Sequence, residues 1–269
     1  MTGKNRIHIK NSLEIEQIRN SALILERTLA EVSAHIRPGI KTKKLDVIAE
    51  DFVRSNGAIP SFKGYNGFPA SLCVSINEAI VHGIPGEREI REEDIISIDC
   101  GVTFNGWVSD SAYTFSMKGV SEEAKKLLKV TKTSLYLGIQ KCEVGQRIGD
   151  IGAEIQRYCE SFSYGVVREF CGHGLGEKMH EKPDVPNYGK KGVGIKLQDG
   201  MVIAIEPMIT MGAKDIVVED DKWSCRTVDR SFAAHFEHDV AITTNGPDIL
   251  SSFTMIEDAI EKNHNLELI

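Results

Sequence analysis

The chain has 269 residues, of which 41% are hydrophobic and 26% are charged, and its formal net charge at pH 7 is −7. This composition is typical of a soluble globular protein, and it excludes a disordered chain, a collagen-like chain and a coiled-coil rod. The acidic balance also argues against a nucleic-acid substrate, because nucleic-acid-binding domains are usually basic.

The sequence contains no membrane or export signal that we recognise. No apolar run approaches the roughly 18 residues that a membrane-spanning helix needs, so we expect no membrane association. The N-terminal stretch MTGKNRIHIK is charged and lacks the apolar segment of a secretory signal. The cysteines are dispersed without a CxxC pair, which favours reduced thiols in a cytoplasmic protein. They are Cys73, Cys100, Cys142, Cys159, Cys171 and Cys225.

Apolar residues at three- and four-residue steps predict a first pair of helices. One helix runs from about Ser12 to His35, with Asn11 or Ser12 as its cap, and Pro38-Gly39 follows its end. The next helix covers roughly Lys43 to Asn56. The two helices therefore stand close together in the chain, separated by a short turn.

The same layout returns in the second half of the sequence. Ser121 can cap a helix that runs to about Lys141, and a further helix covers roughly Ile148 to Ser161. Each helix pair precedes an apolar strand that ends in an acid, Ile95–Asp99 in the first case and Val202–Glu206 in the second. We interpret this as two related α/β halves, roughly residues 12–115 and 118–250, packed as one domain over residues 1–269. A site between the halves would collect acids from both.

Two aspartates are predicted to meet on a hairpin of the first half. Asp99 ends an apolar strand, and Asp110 lies on the strand that follows the turn signal Asn105-Gly106. Period-two alternation then lets Asp99 and Asp110 face each other across an antiparallel pair.

Two glutamates stand in similar contexts in the second half. Glu206 ends the apolar run Met201–Ile205, and Glu237 lies in a predicted strand from Ser231 to Thr243. Buried carboxylates need compensation, either from basic side chains or from metal ions. These strands contain almost no basic residues except histidine, which favours metal. Capped strand ends or salt bridges remain the simpler alternative for each acid taken alone.

Histidines in glycine-containing loops add to this pattern. His173 lies in CGHGLG, His180 follows seven residues later, and His82 lies in VHGIP. Glycines around a histidine suggest a backbone shaped around a ligand. Two aspartates, two glutamates and one histidine would form a nearly neutral site for two divalent cations, as in two-metal hydrolases. Such a donor set suits cobalt, manganese, iron or zinc.

Five stretches together resemble the methionine aminopeptidases of the bacterial type I class. They are GYNGFPASLCVSINEAIVHGIP (Gly64–Pro85), IDCGVTFNGWVSDSAYTF (Ile98–Phe115), CGHGLGEKMHEKP (Cys171–Pro183), IAIEPM (Ile203–Met208) and HFEHDVAIT (His235–Thr243). The resemblance covers nearly the whole chain and implies the α+β pita-bread fold, a curved antiparallel sheet with two pseudo-symmetric helix pairs. It also implies a single catalytic domain that removes N-terminal methionine and prefers a small second residue.

The resemblance assigns roles to individual residues. It implies metal ligands at Asp99, Asp110, His173, Glu206 and Glu237. It implies that His82 contacts the scissile amide of the substrate, that His180 orients the substrate carbonyl and the oxyanion, and that Glu206 also relays a proton. A pocket for the methionine side chain would be lined by Phe62, Tyr65, Phe68, Cys73, Met179 and Trp223. Plain core packing is the alternative for these pocket residues.

The resemblance further implies nascent polypeptides as substrates, work near the ribosome exit region, and a monomer. At four places this chain departs from residues common in the family: Phe68, Asn105, Met179 and His235. These departures concern the shape of the pocket rather than the proposed ligands.

Two other functions compete with this interpretation. A proline-directed aminopeptidase or dipeptidase of the same fold would share all five ligands, although such relatives usually carry a large additional N-terminal domain. A binding protein that kept the fold without catalysis would typically have lost metal ligands, and this chain keeps all five.

Overall fold

The computed structural model of the protein describes residues 7–269 and contains five α-helices and sixteen β-strands in that range. The helices are α1 (Ser12–His35), α2 (Thr42–Ser55), α3 (Glu122–Ile139), α4 (Ile148–Glu160) and α5 (Thr254–Lys262). The strands are β1 (Ile59–Pro60), β2 (Leu72–Ile76), β3 (Ala79–Val81), β4 (Ile95–Phe104), β5 (Trp107–Met117), β6 (Gly165–Val166), β7 (Gly172–Gly174), β8 (Glu181–Val185), β9 (Val202–Ile205), β10 (Met208–Thr210), β11 (Ile216–Val218), β12 (Cys225–Thr227), β13 (Ala233–His235), β14 (His238–Thr243), β15 (Gly246–Ile249) and β16 (Leu266–Glu267).

The four predicted helices are confirmed, and their ends lie within two residues of the predicted ones. Asn11 caps α1: its side chain accepts hydrogen bonds from the backbone N–H groups of Leu13 and Glu14, at 2.9 and 3.0 Å. The Glu14 side chain accepts from the Asn11 N–H in return, which completes a capping box. Ser121 caps α3 through the N–H of Ala124.

The predicted hairpin of β4 and β5 is confirmed. The strands pair from Ile95↔Ser116 to Phe104↔Trp107, so the loop consists of two residues. Both loop residues have positive φ, 50° at Asn105 and 83° at Gly106, as a type I′ turn requires. In this register Asp99 pairs with Ala112, and Asp110 with Gly101. The two aspartates are therefore diagonal neighbours on one face rather than directly opposite.

The predicted continuous strand from Ser231 to Thr243 is wrong. The chain forms two strands, β13 and β14, and Glu237 lies in the gap between them. The segment that pairs with β13 and β14 is interrupted at the same level, where Glu206 and Pro207 separate β9 from β10. Consequently β9 and β14 pair in a five-stranded sheet, whereas β10 and β13 pair in a three-stranded one. Each glutamate thus lies where a strand passes from one sheet to the next.

The two halves of the molecule meet where β5 lies beside β13 and β14. The N–H of Glu237 donates to the Ala112 carbonyl at 2.9 Å, and the Ser111 hydroxyl donates to the Glu237 carbonyl at 2.7 Å. This contact brings the acids of β4 and β5 to those of the second half. The predicted collection of acids between the halves is therefore observed.

Both helix pairs pack on one continuous apolar core. Its buried members come from the four helices and from strands of both halves: Leu25, Leu45, Leu128, Ile151, Ile98 and Ile203 among others. All strand pairs are antiparallel, and the sheet is curled, so the predicted α+β class is confirmed. Within residues 7–269, no helix has both the length and the apolar character needed to cross a bilayer.

Candidate metal centre and adjoining pocket

A cavity of about 230 Å³ opens at the junction of the two halves. Every site residue that the sequence predicted lines this cavity, together with Asn66, which was not predicted. The lining residues are Phe62, Tyr65, Asn66, Phe68, Cys73, His82, Asp99, Asp110, His173, Met179, His180, Glu206, Trp223 and Glu237.

The five predicted metal ligands converge at the closed end of the cavity. Asp110, His173 and Glu237 are buried, and each offers a ligand atom within 4.8 Å of the other two. His173 Nε2 lies 3.9 Å from Asp110 Oδ2 and 3.7 Å from Glu206 Oε1. Asp99, on β4, lines the same cavity. Two halves of the chain therefore supply the donors: two aspartates from the first, and two glutamates and a histidine from the second.

Buried oxygens in this cluster have no hydrogen-bond partner within the described chain. Asp99 Oδ1, Asp110 Oδ1 and Glu237 Oε1 are all unpaired. An unpaired buried carboxylate oxygen is costly, and native proteins normally satisfy such atoms. A divalent cation would satisfy them, because oxygen and imidazole donors are ligands that such cations accept. The donor set of this chain therefore fits a metal centre.

Burial changes the pKa of each of these side chains in the direction that favours its neutral form. It raises the pKa of Asp99 from 3.8 to about 7. It raises the pKa of Asp110 and of Glu237 well above the usual range, and the charges of Asp99, Asp239 and Glu206 add to both shifts. Burial also lowers the pKa of His173 to about 4, which keeps the imidazole neutral and able to bind a metal. The chain itself therefore does not compensate the negative charge that these carboxylates would carry if all of them were ionised.

Two histidines stand between the acids and the cavity mouth. His180 is exposed, its Nδ1 lies 2.8 Å from the Tyr65 hydroxyl, and its ring centroid lies 4.3 Å from that of His173. His82 has a φ of 58°, an uncommon value for a residue other than glycine. A Cβ on the following residue, Gly83, would lie 2.2 Å from the Val74 carbonyl oxygen, so only glycine permits this path.

The other end of the cavity is apolar. Phe62, Phe68, Cys73 and Met179 are buried in one cluster, and Trp223 packs against it. The Phe68 and Trp223 rings meet edge to face, with 5.2 Å between their centroids. Tyr65 stands at the mouth, 37% exposed. The cavity therefore presents an apolar slot beside a cluster of acids, which suits a substrate with an apolar side chain next to a hydrolysable group.

Sequence reasoning assigned no role to two buried polar residues beside the acids. Asp239 is fully buried, and its Oδ2 accepts hydrogen bonds from the Ser109 hydroxyl at 2.6 Å and from the Asp110 N–H at 2.9 Å. Asp239 stands two residues after Glu237, but β14 begins at His238, so strand alternation does not by itself place the two side chains on one face. His235 Nε2 lies 3.9 Å from one oxygen of Glu206 and 3.9 Å from one oxygen of Glu237. It has no hydrogen-bond partner among residues 7–269.

Residues 16–244 match Peptidase_M24, metallopeptidase family M24, and the chain belongs to that family. A methionine aminopeptidase of Clostridium acetobutylicum is 52% identical over 246 residues, which cover 91% of this chain and 98% of that protein. The crystal structure of methionine aminopeptidase from Rickettsia prowazekii superposes with a TM-score of 0.90 at 35% identity, covering 92% of this chain and all of that one. The pita-bread fold expected from the sequence is thereby confirmed.

A more distant likeness extends to a prolidase of Pyrococcus horikoshii. Its crystal structure superposes with a TM-score of 0.72 at 21% identity, covering 91% of this chain but 63% of the prolidase chain. This likeness concerns the fold alone.

Proposed function

We propose that this protein is a metal-dependent aminopeptidase that removes the N-terminal methionine of nascent proteins and prefers a small second residue. The observation that carries the proposal is a single cavity with four carboxylates and a histidine at one end and an apolar slot at the other. Its similarity to methionine aminopeptidases over nine-tenths of the chain supports the same conclusion.

We propose that the cluster holds two divalent cations, of cobalt, manganese, iron or zinc. Asp99, Asp110, His173, Glu206 and Glu237 would be the ligands, and their four carboxylates would balance the four positive charges. When bound, the cations would polarise the scissile carbonyl and bring the pKa of a water molecule close to neutrality. The unpaired oxygens of Asp99, Asp110 and Glu237 support this assignment.

Glu206 would transfer the proton from the attacking water to the leaving amine. Amide hydrolysis needs such a transfer, because an amine leaves readily only once its nitrogen is protonated. The Glu206 side chain is 12% exposed and lines the cavity, so its carboxylate can reach a water molecule and a leaving amine held there.

His82 and His180 would hold the peptide at the reacting bond. His82 would contact the scissile amide, and His180 would donate to the substrate carbonyl and to the oxyanion that develops from it. Burial lowers the pKa of His82, so its imidazole stays neutral beside the cations and still donates one N–H.

The apolar slot would receive the methionine side chain. Phe62, Phe68, Cys73, Met179 and Trp223 supply aromatic faces, a thioether and a thiol, which suit a polarizable thioether. Tyr65 at the mouth would close over the bound residue beside His180, to which its hydroxyl is hydrogen-bonded.

We further propose that residues 1–269 act as one catalytic domain and as a monomer in the cytoplasm, near the ribosome exit region. The cysteines are unpaired, which supports a reducing compartment. A net charge of −7 agrees with a peptide substrate rather than a nucleic acid.

The test is release of free methionine from a Met-Gly-Met peptide by metal-stripped protein, with and without added Mn²⁺ or Co²⁺. We expect metal-dependent release, its loss in Glu206→Ala, and normal release by Glu177→Ala, an exposed acid outside the metal cluster. A peptide with proline in the second position is included.

Two results would contradict the proposal. If correctly folded protein releases no methionine with any metal, the chain is a binding protein of this fold. If it cleaves residues other than methionine equally well, or prefers a proline-containing peptide, the proline-directed peptidase is the better assignment.

A further inference from the structure

The N-terminal arm, residues 7–11, is fastened to the second half of the molecule. The N–H of Lys10 donates to the Gly200 carbonyl at 2.7 Å. A Cβ on Gly200, which has a φ of 85°, would lie 2.5 Å from the Lys10 carbonyl oxygen. Only glycine at position 200 therefore allows the arm to approach so closely, which fixes where the Lys10 side chain begins.

The ammonium group of Lys10 is buried against Glu181. The Lys10 side chain is 1% exposed, and its Nζ donates to Glu181 Oε2 at 2.7 Å and to the His8 carbonyl at 3.1 Å. The side chain passes beneath Gly176, where a Cβ would lie 2.6 Å from Lys10 Cε and 3.1 Å from Glu181 Oε1. Burying an ion pair is costly and adds little net stability, so a pair with this geometry invites another explanation.

Glu181 directly follows His180 and is the first residue of β8. Its second oxygen, Oε1, accepts a hydrogen bond from the Lys178 N–H at 3.3 Å. That bond closes the turn from Lys178 to Glu181, which carries His180 at the cavity mouth. Because His180 itself is exposed, its ring position depends on this turn and on the contacts of the ring with Tyr65 and His173.

We propose that Lys10 and Glu181 form a positioning pair that holds His180 in place for the reaction. Lys10 binds one oxygen of Glu181, and the other oxygen of Glu181 accepts the hydrogen bond that closes the turn. A small displacement of a group that binds a transition state lowers the rate far more than it lowers substrate binding. The kinetic part of this inference rests on the role of His180 given under Proposed function, whereas the structural part does not.

Three variants test the pair in different ways. Lys10→Met removes the ammonium and keeps the length of the side chain. The double variant Lys10→Met/Glu181→Gln removes both charges, so that no unpaired charge is left buried. Gly176→Ala keeps both charges but places a methyl group where the Lys10 chain passes. Lys182→Met is the matched control, because it breaks an exposed ion pair with Asp184 on the same strand.

Two measurements are made on each variant: kcat and KM for a Met-Ala-Ser peptide, and the imidazole ¹H–¹³C NMR signal of His180 in zinc-loaded protein. We expect all three variants to lower kcat by at least about tenfold with KM changed less than about threefold. We also expect the His180 signal to shift in all three and to stay in place in Lys182→Met.

The inference is overturned if folded Lys10→Met/Glu181→Gln and Gly176→Ala leave the His180 signal unmoved, even where their melting temperatures fall. It is overturned as well if the signal moves but kcat stays within about twofold of the parent protein. If the parent protein itself releases no methionine, the proposed function fails, and the NMR signal alone decides whether the pair positions His180.

Discussion

Asp239 is a fully buried carboxylate beside the four acids of the candidate metal centre. Its Oδ2 accepts from the Asp110 backbone N–H and the Ser109 hydroxyl rather than from a basic side chain. Its Oδ1 has no hydrogen-bond partner in the part of the chain that the structure describes. Its charge adds to the shift that raises the pKa of Asp110 and Glu237. An additional negative charge next to the cluster strengthens the binding of cations and lowers the stability of the metal-free protein.

Asp239→Asn should therefore weaken metal binding while stabilising the metal-free protein. The amide keeps an oxygen that can accept from Ser109 and Asp110, so the strand contact is retained. We expect Mn²⁺ affinity to fall about tenfold, the range typical of partners of metal ligands. Calorimetric titration and thermal unfolding measure the two effects. Asp248→Asn, an exposed acid on the neighbouring β15, is the control, and equal Mn²⁺ affinity in parent and Asp239→Asn would contradict the prediction.

The apolar slot makes a second prediction at the scale of one residue. Trp223→Ala removes the ring that packs on Phe68 and enlarges the slot. We expect kcat/KM for methionine peptides to fall by about 10- to 200-fold, because the lost contacts are those of one apolar pocket. This corresponds to a loss of about 1–3 kcal/mol in transition-state binding. Steady-state kinetics well below the melting temperature test this. The other tryptophan, Trp107, lies outside the cavity, so Trp107→Ala should leave kcat/KM unchanged; an equal loss there would indicate general destabilisation.

At the scale of elements, the β4–β5 hairpin depends on one left-handed glycine. A Cβ at Gly106 would meet no atom within 4 Å, so the cost of Gly106→Ala comes from its φ of 83° alone. We expect the free energy of unfolding to fall by about 1–2 kcal/mol, with methionine release retained. Urea unfolding measures the loss. Gly86 has no positive φ, and a Cβ there would meet only the Ile84 carbonyl oxygen, at an ordinary 3.9 Å. Gly86→Ala should therefore change stability by less than about 0.5 kcal/mol, and a similar loss in both variants would contradict the argument.

Helices and the hairpin could be predicted from the sequence because their signals are local. Apolar periodicity and the caps Asn11 and Ser121 set the helix ends, and Asn105-Gly106 set the turn. The break of the strand before Thr243 could not be predicted in this way. Glu237 leaves the strand opposite Glu206 and Pro207, and that register is created by pairing between distant segments. Nothing within residues 231–243 alone encodes it.

At the scale of the whole molecule, the sequence predicted which residues share the cavity but not how they are held. The acids were found because buried carboxylates need compensation, and the pocket residues were found through resemblance to a family. The contacts of Lys10 with Glu181 and of Asp239 with Asp110 join segments far apart in the chain, and no spacing rule reveals them. Long-range packing therefore determines the surroundings of the site.

The buried acids also determine how the stability of the metal-free protein depends on pH. Burial raises the pKa of Asp99 and of Asp239 from 3.8 to about 7, and raises those of three further acids well above their usual values. Those three are Asp110, Glu206 and Glu237. Between about pH 6.5 and 8 the unfolded chain has released these protons while the folded chain retains them, so the free energy of unfolding falls as pH rises. Below pH 6.5 the buried His173, whose pKa is lowered to about 4, opposes this trend.

We therefore expect the melting temperature of metal-stripped protein to fall from pH 6.5 to pH 8. Added Mn²⁺ should raise the melting temperature more at pH 8 than at pH 6.5, because cations bind the deprotonated carboxylates. Asp239→Asn should reduce the slope of the metal-free protein, since it removes one of the shifted acids. Thermal unfolding at four pH values, with and without Mn²⁺, makes the measurement. A metal-free stability that is flat or rises across this interval would mean that the acids are already paired within the chain, and the case for a metal centre built on their unpaired oxygens would fail with it.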